Sequence, residues 1–353
     1  MVDLSVDVLN MRLVNPTVLP SGILGEREGM LERAAASGAS LLITKSITLE
    51  PRDGYHGPCV VESSPGGILN AMGLPNPGIV AFSRTYRPRI RGVPVVPSIY
   101  GTTPDELREL AMTLDSLDPP AIELNLSCPH AGGKRSGRLI AQDPTETTKV
   151  IAAVCATTDV PVIAKLSPNV TDIVEIAAAA LFAGASAIGA VDTFEALDID
   201  VEFERPVLGN FIGGLSGPVI RPLALRKVTA IALAMRDGRI DEAPIIAYGG
   251  AAGGEDIARF IMAGATAVGL GSVIYERDLE VFRAATGELA AWMERKGYSR
   301  LDDFRGNVLD WLDSPEGPEE ADEEGPPESL IGPVDGVESP DTDASPRGEA
   351  RSG

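Results

Sequence analysis

The feature that most constrains this chain is an alternation of short, almost wholly apolar runs with amphipathic stretches of helical period. The apolar runs are Leu41–Thr44, Val93–Ser98, Ala121–Leu126, Pro161–Leu166, Ser186–Val191, Pro244–Tyr248 and Thr266–Leu270, with an earlier one at Thr17–Leu19. Continuous rather than alternating hydrophobicity marks strands buried on both faces, as in a parallel sheet. Helical patterns fill the gaps at Glu26–Ala36, Pro104–Leu117, Pro144–Thr157, Asp172–Ala183, Pro222–Arg236, Glu255–Ala263 and Leu279–Arg295. Thr103 stands as an N-cap before a proline at the first helical position. Gly184 and Gly264 fall just past their helices, where a left-handed residue is wanted. Eight strand candidates alternating with seven helical patterns fit eight βα units and predict an α/β fold, a (β/α)8 TIM barrel whose site lies on the loops after the strands. A doubly wound open sheet is the alternative. Asp3–Leu13 reads as a short N-terminal β-hairpin closing the barrel floor.

The pattern stops near residue 312, so residues 1–312 are expected to form the catalytic barrel and residues 313–353 a separate tail. The tail carries thirteen acids against Arg347 and Arg351, and from Ser314 onward it has seven prolines and no aromatic residue. It cannot bury enough apolar surface to offset its ordering entropy, and the expectation is a disordered acidic tail. The whole chain has a formal net charge of −21, which argues against nucleic acid and anionic membranes as partners. No apolar run is long enough to span a bilayer, and the opening residues lack the pattern of a signal peptide. A cytoplasmic enzyme is expected. Three cysteines and two histidines offer no disulfide framework and no metal-ligand cluster.

Three glycine clusters fall where strands should end. They are Gly249–Gly250 after Tyr248, Gly271–Ser272 after Leu270, and Gly213–Gly214 with Gly217 before the helix at Pro222. Glycine lets backbone N–H groups approach phosphate oxygens, and late barrel loops commonly make such a cradle. Arg221, at the start of that helix, reads as structural rather than as a phosphate ligand. Lys45 and Lys165 each follow an apolar run, LLIT and PVIA, in a chain with only six lysines. A lysine at a buried strand end suits a site where negative charge develops. Cys128 lies in the polar run Ser127–Cys128–Pro129–His130 after the strand ending at Leu126, followed by a glycine-rich segment. A free cysteine is most often an apolar filler; at a strand exit, ahead of such a segment, it is also a candidate base.

Taken together, NLSCP, KLSPNVTDI, GGLSGP with IRPLALR, YGG and GLGS resemble the dihydroorotate dehydrogenase family over roughly Val14–Asp278. The details are most similar to the class 1 type B catalytic subunit, whose base is a cysteine. The resemblance implies an FMN-dependent oxidation of dihydroorotate to orotate in pyrimidine biosynthesis. Cys128 would take the C5 proton while hydride leaves C6 for the flavin. It implies flavin contacts from Ser21, Lys45, Ser46, Ser98, Asn125, Lys165, Val191, Gly217, Gly249, Gly250, Gly271 and Ser272. It implies substrate contacts from Lys45, Asn70, Ala71, Met72, Gly73, Leu74, Asn125, His130, Asp192 and Thr193. It further implies a homo-oligomer and a second subunit carrying FAD and an iron–sulfur cluster, because this chain has no cysteine set for a cluster and no dinucleotide fingerprint. A soluble acceptor such as fumarate is the other route for the electrons.

Three positions depart from the family, which usually has asparagine where Ser98, His130 and Asp192 stand. His130 can still donate a hydrogen bond. Asp192, ionised, only accepts, and would oppose a substrate carboxylate. CPH and Ser98 are similar to the pyrimidine-reducing domain of dihydropyrimidine dehydrogenase, so reduction of uracil-type rings is a second expectation. A non-catalytic flavin- or phosphate-binding barrel is a third, and it predicts no turnover of any pyrimidine.

Overall fold

The computed structural model describes residues 2–63, 66–126 and 140–313. The chain divides into two units, Met1–Asp313 and Ser314–Gly353, and every described residue belongs to the first. Its centre is a ring of eight parallel strands: β1 (Thr17–Leu19), β2 (Leu41–Ile43), β3 (Val93–Val96, resumed after Pro97 as Ser98–Ile99), β4 (Ile122–Asn125), β5 (Val162–Lys165), β6 (Ala187–Ala190), β7 (Ile245–Ala247) and β8 (Ala267–Gly269). Each strand pairs in parallel with the next, and β8 pairs back onto β1. The ring is therefore closed, which rejects the open doubly wound sheet. The strands are buried from end to end, as β1, β2 and β4 to β8 show, and that explains their lack of apolar–polar alternation.

β3 holds the one discontinuity. Pro97 has no N–H to give to the ladder, so Val93–Val96 pairs with β2 and Ser98–Ile99 with β4. The Ser98 N–H instead donates to the Thr44 hydroxyl at 3.1 Å, and the Glu123 N–H donates to the Pro97 carbonyl at 2.9 Å.

A helix follows each strand: α1 (Glu28–Ala36), α2 (Ile79–Thr85), α3 (Pro104–Asp115), α4 (Pro144–Cys155), α5 (Ile173–Phe182), α6 (Arg221–Arg236), α7 (Gly254–Met262) and α8 (Val281–Lys296). The Thr103, Asp143 and Asp172 side chains cap the N-termini of α3, α4 and α5. Gly184 and Gly264 take positive φ after α5 and α7. The N-terminal hairpin pairs Val6–Val8 with Met11–Leu13, and its alternate residues Val6, Val8, Met11 and Leu13 bury into the main core.

Two features go beyond the sequence reading. One is α2. The other is a four-stranded antiparallel sheet from two distant segments, in the order Phe194–Ala196, Gly213–Ser216, Ile68–Asn70, Val60–Glu62. It has its own small core, Leu69, Ala71 and Leu208, with Tyr55, Val61 and Leu215 packed against it. Among the described residues no helix is long and apolar enough to cross a membrane.

Candidate active site

A cavity of about 370 Å³ opens among the loops that follow the strands, lined on one side by residues of the antiparallel sheet. Of the described residues singled out from the sequence, all but Ser98 line it. Ser21 comes from the loop after β1, Lys45 and Ser46 from after β2, and Asn70 through Leu74 from the antiparallel sheet and its exit. Asn125 and Lys165 end β4 and β5, Val191–Thr193 follow β6, Gly217 precedes α6, Gly249–Gly250 follow β7, and Gly271–Ser272 follow β8. Ser98 lies behind this wall with no exposed surface. Its hydroxyl is 3.0 Å from Ser46 Oγ, which accepts a hydrogen bond from Asn125 Nδ2 at 2.9 Å. Asn15 sits before β1, outside the cavity lining, and bonds Thr17 and Gly38. Cys128 and His130 lie outside the described residues.

Lys45 and Lys165 are buried, an expensive place for a cation without compensation. Lys45 Nζ donates to the Gly22 carbonyl at 3.4 Å and lies 3.9 Å from a Glu26 carboxylate oxygen. Lys165 Nζ lies 3.2 Å from Asp192 Oδ2, donates to Ser21 Oγ at 3.2 Å, and stands 5.5 Å from the centre of the Tyr248 ring. Asp192, the departure that most opposes an anionic substrate, thus has its charge set against Lys165.

Two of the glycine loops meet at one point. A Cβ on Gly250 would lie 2.7 Å from the Gly217 carbonyl oxygen and 2.9 Å from the Arg221 nitrogen, and Gly250 has φ +85°. A side chain there would be both strained and obstructed. The Gly217 and Gly249–Gly250 loops therefore close into a backbone-lined cradle beside the N-terminus of α6, and Gly271 and Ser272 line the same cavity. Such a cradle fits the phosphate of a cofactor, because N–H groups and the helix dipole both favour an anion. The Arg221 side chain is spent elsewhere, on Asp256 at 2.8 Å.

Three residues of this neighbourhood escape the sequence reading. Glu123, on β4, has no exposed surface; its one signal is an acid between Ile122 and Leu124 in a largely apolar run. Tyr248 reaches it, donating from its phenol at 3.3 Å. Burial first, then the charge of Glu123, holds the Tyr248 phenol well above its ordinary pKa, so it stays a donor. Asn169, within KLSPN, ties the loop after β5 to the loop after β6, bonding the Thr193 carbonyl at 3.1 Å and the Glu195 N–H at 2.9 Å.

A closed parallel barrel with buried lysines and a glycine-lined cradle at its strand ends defines the class: a barrel enzyme with its site on the loops that follow the strands. The comparisons then give the family. The family model for dihydroorotate dehydrogenase matches residues 3–293, and the chain belongs to that family of oxidoreductases. It is 42% identical over 306 residues to the catalytic subunit of dihydroorotate dehydrogenase B (NAD(+)) of Pyrococcus abyssi, covering 87% of this chain and 99% of that one. It is 39% identical over 308 residues to the protein of that name from Methanothermobacter thermautotrophicus, with 87% and 99% covered. For Trichlorobacter lovleyi the identity is 39% over 306 residues, with 86% and 97% covered.

Proposed function

We propose that this protein oxidises (S)-dihydroorotate to orotate in pyrimidine biosynthesis, with FMN held in the cavity and Cys128 as the base. The observation that carries the reading is the convergence of Lys45, Asn125 and Lys165, all buried, with the glycine cradle on one cavity. FMN bound there supplies the acceptor for the hydride that leaves the substrate. Gly217, Gly249, Gly250, Gly271 and Ser272 hold its phosphate and ribityl chain, and Lys165 serves the edge where charge gathers on reduction. Lys45 pairs with the substrate carboxylate. Asn70, Asn125 and Thr193 fix the ring, and Met72, Gly73 and Leu74 complete its seat. Cys128 removes the C5 proton; a thiol with an ordinary pKa of about 8.5 needs only modest lowering to act near neutrality.

The relatives are named as catalytic subunits of an NAD(+) enzyme. On that ground the electrons would leave this chain for a second subunit and reach NAD+, and the family resemblance implies that this subunit carries FAD and an iron–sulfur cluster. The test is anaerobic mixing of the purified flavoprotein with dihydroorotate and, separately, with dihydrouracil. Bleaching of the flavin by dihydroorotate, at a far higher rate than by dihydrouracil, is expected. The opposite preference would replace this reading with the uracil-type reaction, and no bleaching by either would favour a non-catalytic barrel.

A further inference from the structure

Glu123 is a fully buried carboxylate inside the barrel, and the reaction above assigns it no role. Its two oxygens accept from two side chains that line the cavity, Ser21 Oγ at 2.6 Å and the Tyr248 phenol at 3.3 Å. A serine hydroxyl has one proton. Given to Glu123, it leaves Ser21 facing Lys165 with lone pairs, and Lys165 Nζ donates to it at 3.2 Å. The relay from Lys165 through Ser21 to Glu123 thus runs in one direction and ends on a negative charge. The barrel also makes room for the second arm. A Cβ on Gly189 would lie 3.1 Å from Tyr248 Cε2, and one on Gly269 2.4 Å from Tyr248 Cδ1. Two strands therefore omit side chains where the Tyr248 ring passes on its way to Glu123.

We propose that Glu123 is a positioning residue: through Ser21 and Tyr248 it fixes Lys165 at the cavity wall, offsets part of its positive charge, and so lowers the reduction potential of a flavin held there. The inference rests on the flavin reading above. A cation near the flavin favours its reduced, more negative form, and a buried anion paired with that cation weakens the effect. Ser21, its proton committed, meets a cofactor only through its backbone or as an acceptor.

The test is spectroelectrochemical titration of FMN-loaded wild type and Glu123→Gln, with FMN affinity measured alongside. Glutamine keeps the shape and can still accept from Ser21, while Asp192 still holds Lys165. The expected result is a more positive midpoint potential in the variant, by at least a tenfold change in the oxidised-to-reduced ratio at fixed potential, about 30 mV for a two-electron couple. Glu123→Asp, which keeps the charge, should stay closer to wild type. An unchanged or more negative potential in folded, flavin-loaded Glu123→Gln overturns the proposal. If that variant does not fold, Glu123→Leu, which removes the charge at similar size, is read in its place: a positive shift supports the proposal, and no shift or a negative one overturns it. Wild type that takes up no FMN would instead sink the flavin reading itself.

Discussion

Lys165 Nζ and Asp192 Oδ2 stand 3.2 Å apart across the loops that end β5 and β6, with the lysine side chain 6% exposed. The pair turns the departure at Asp192 from a threat into a local balance, because the carboxylate is directed at a cation on the cavity wall. On the proposed reading, dihydroorotate would meet Lys45 with its own carboxylate while Asp192 stays engaged with Lys165. Asp192→Asn is expected to change KM for dihydroorotate by no more than about tenfold, or ~1.4 kcal/mol, with kcat largely kept. Steady-state kinetics on both proteins with dihydroorotate and dihydrouracil checks this. A wild type that prefers dihydrouracil, shifting toward dihydroorotate in Asp192→Asn, would show that Asp192 selects against a carboxylate.

Cys128→Ala should retain FMN and lose flavin reduction by roughly 10²–10⁴-fold, the usual cost of removing a general base. Cys59→Ala and Cys155→Ala should match wild type. Burial pushes the Cys155 thiol up, which makes it a poor base, and Cys59 Sγ is hydrogen-bonded to the Tyr55 carbonyl at 3.2 Å. Stopped-flow absorbance of the three variants decides the matter, and wild-type rates in Cys128→Ala would remove the cysteine from the chemistry.

Gly250→Ala tests the cradle. The substitution forces an alanine into positive φ, at a cost of roughly 1–2 kcal/mol, and presses its methyl on the Gly217 carbonyl and the Arg221 nitrogen. FMN affinity should fall by more than tenfold, and the apo protein should melt a few degrees lower. Fluorescence titration with FMN and thermal melts of apo protein measure the two effects. Wild-type affinity would mean that phosphate is bound elsewhere.

A chain ending at Asp313 should keep flavin content and turnover. The acid- and proline-rich composition of residues 314–353 motivates this. Lost activity at unchanged flavin occupancy would assign those residues a part in catalysis or in partner binding.

The barrel was legible because its strands are buried on both faces and so print nearly unbroken apolar runs, flanked by caps such as Thr103 and stops such as Gly184. α2 is not legible. It has seven residues, starts at Gly78 without a side-chain cap, and buries Ile79 alone, so no period can emerge. The antiparallel sheet escapes for a related reason: its strands have three or four residues, one begins with two glycines, and partners such as Asn70 and Gly214 lie 144 residues apart. At the site, Lys45, Asn70, Asn125, Lys165 and the glycine loops could be read from family motifs. Glu123 could not, because a carboxylate in a strand does not announce Ser21 and Tyr248 as its partners. Ser98 was legible as a position but not as a layer, since the sequence does not say that Ser46 stands in front of it.

The antiparallel sheet has a consequence for the order in which the molecule assembles. One half belongs to the segment between β2 and β3 and the other to the segment between β6 and β7, and among the described strands it is Gly213–Ser216 and Ile68–Asn70 that pair across that gap. Closing so long a loop is entropically slow, and little local contact rewards it beforehand. The wall that carries Asn70 is therefore complete only after β3 to β6 have found their places. Uptake of a ligand by this cavity reports the last stage of folding, and a bound ligand holds together two segments that the barrel alone does not join.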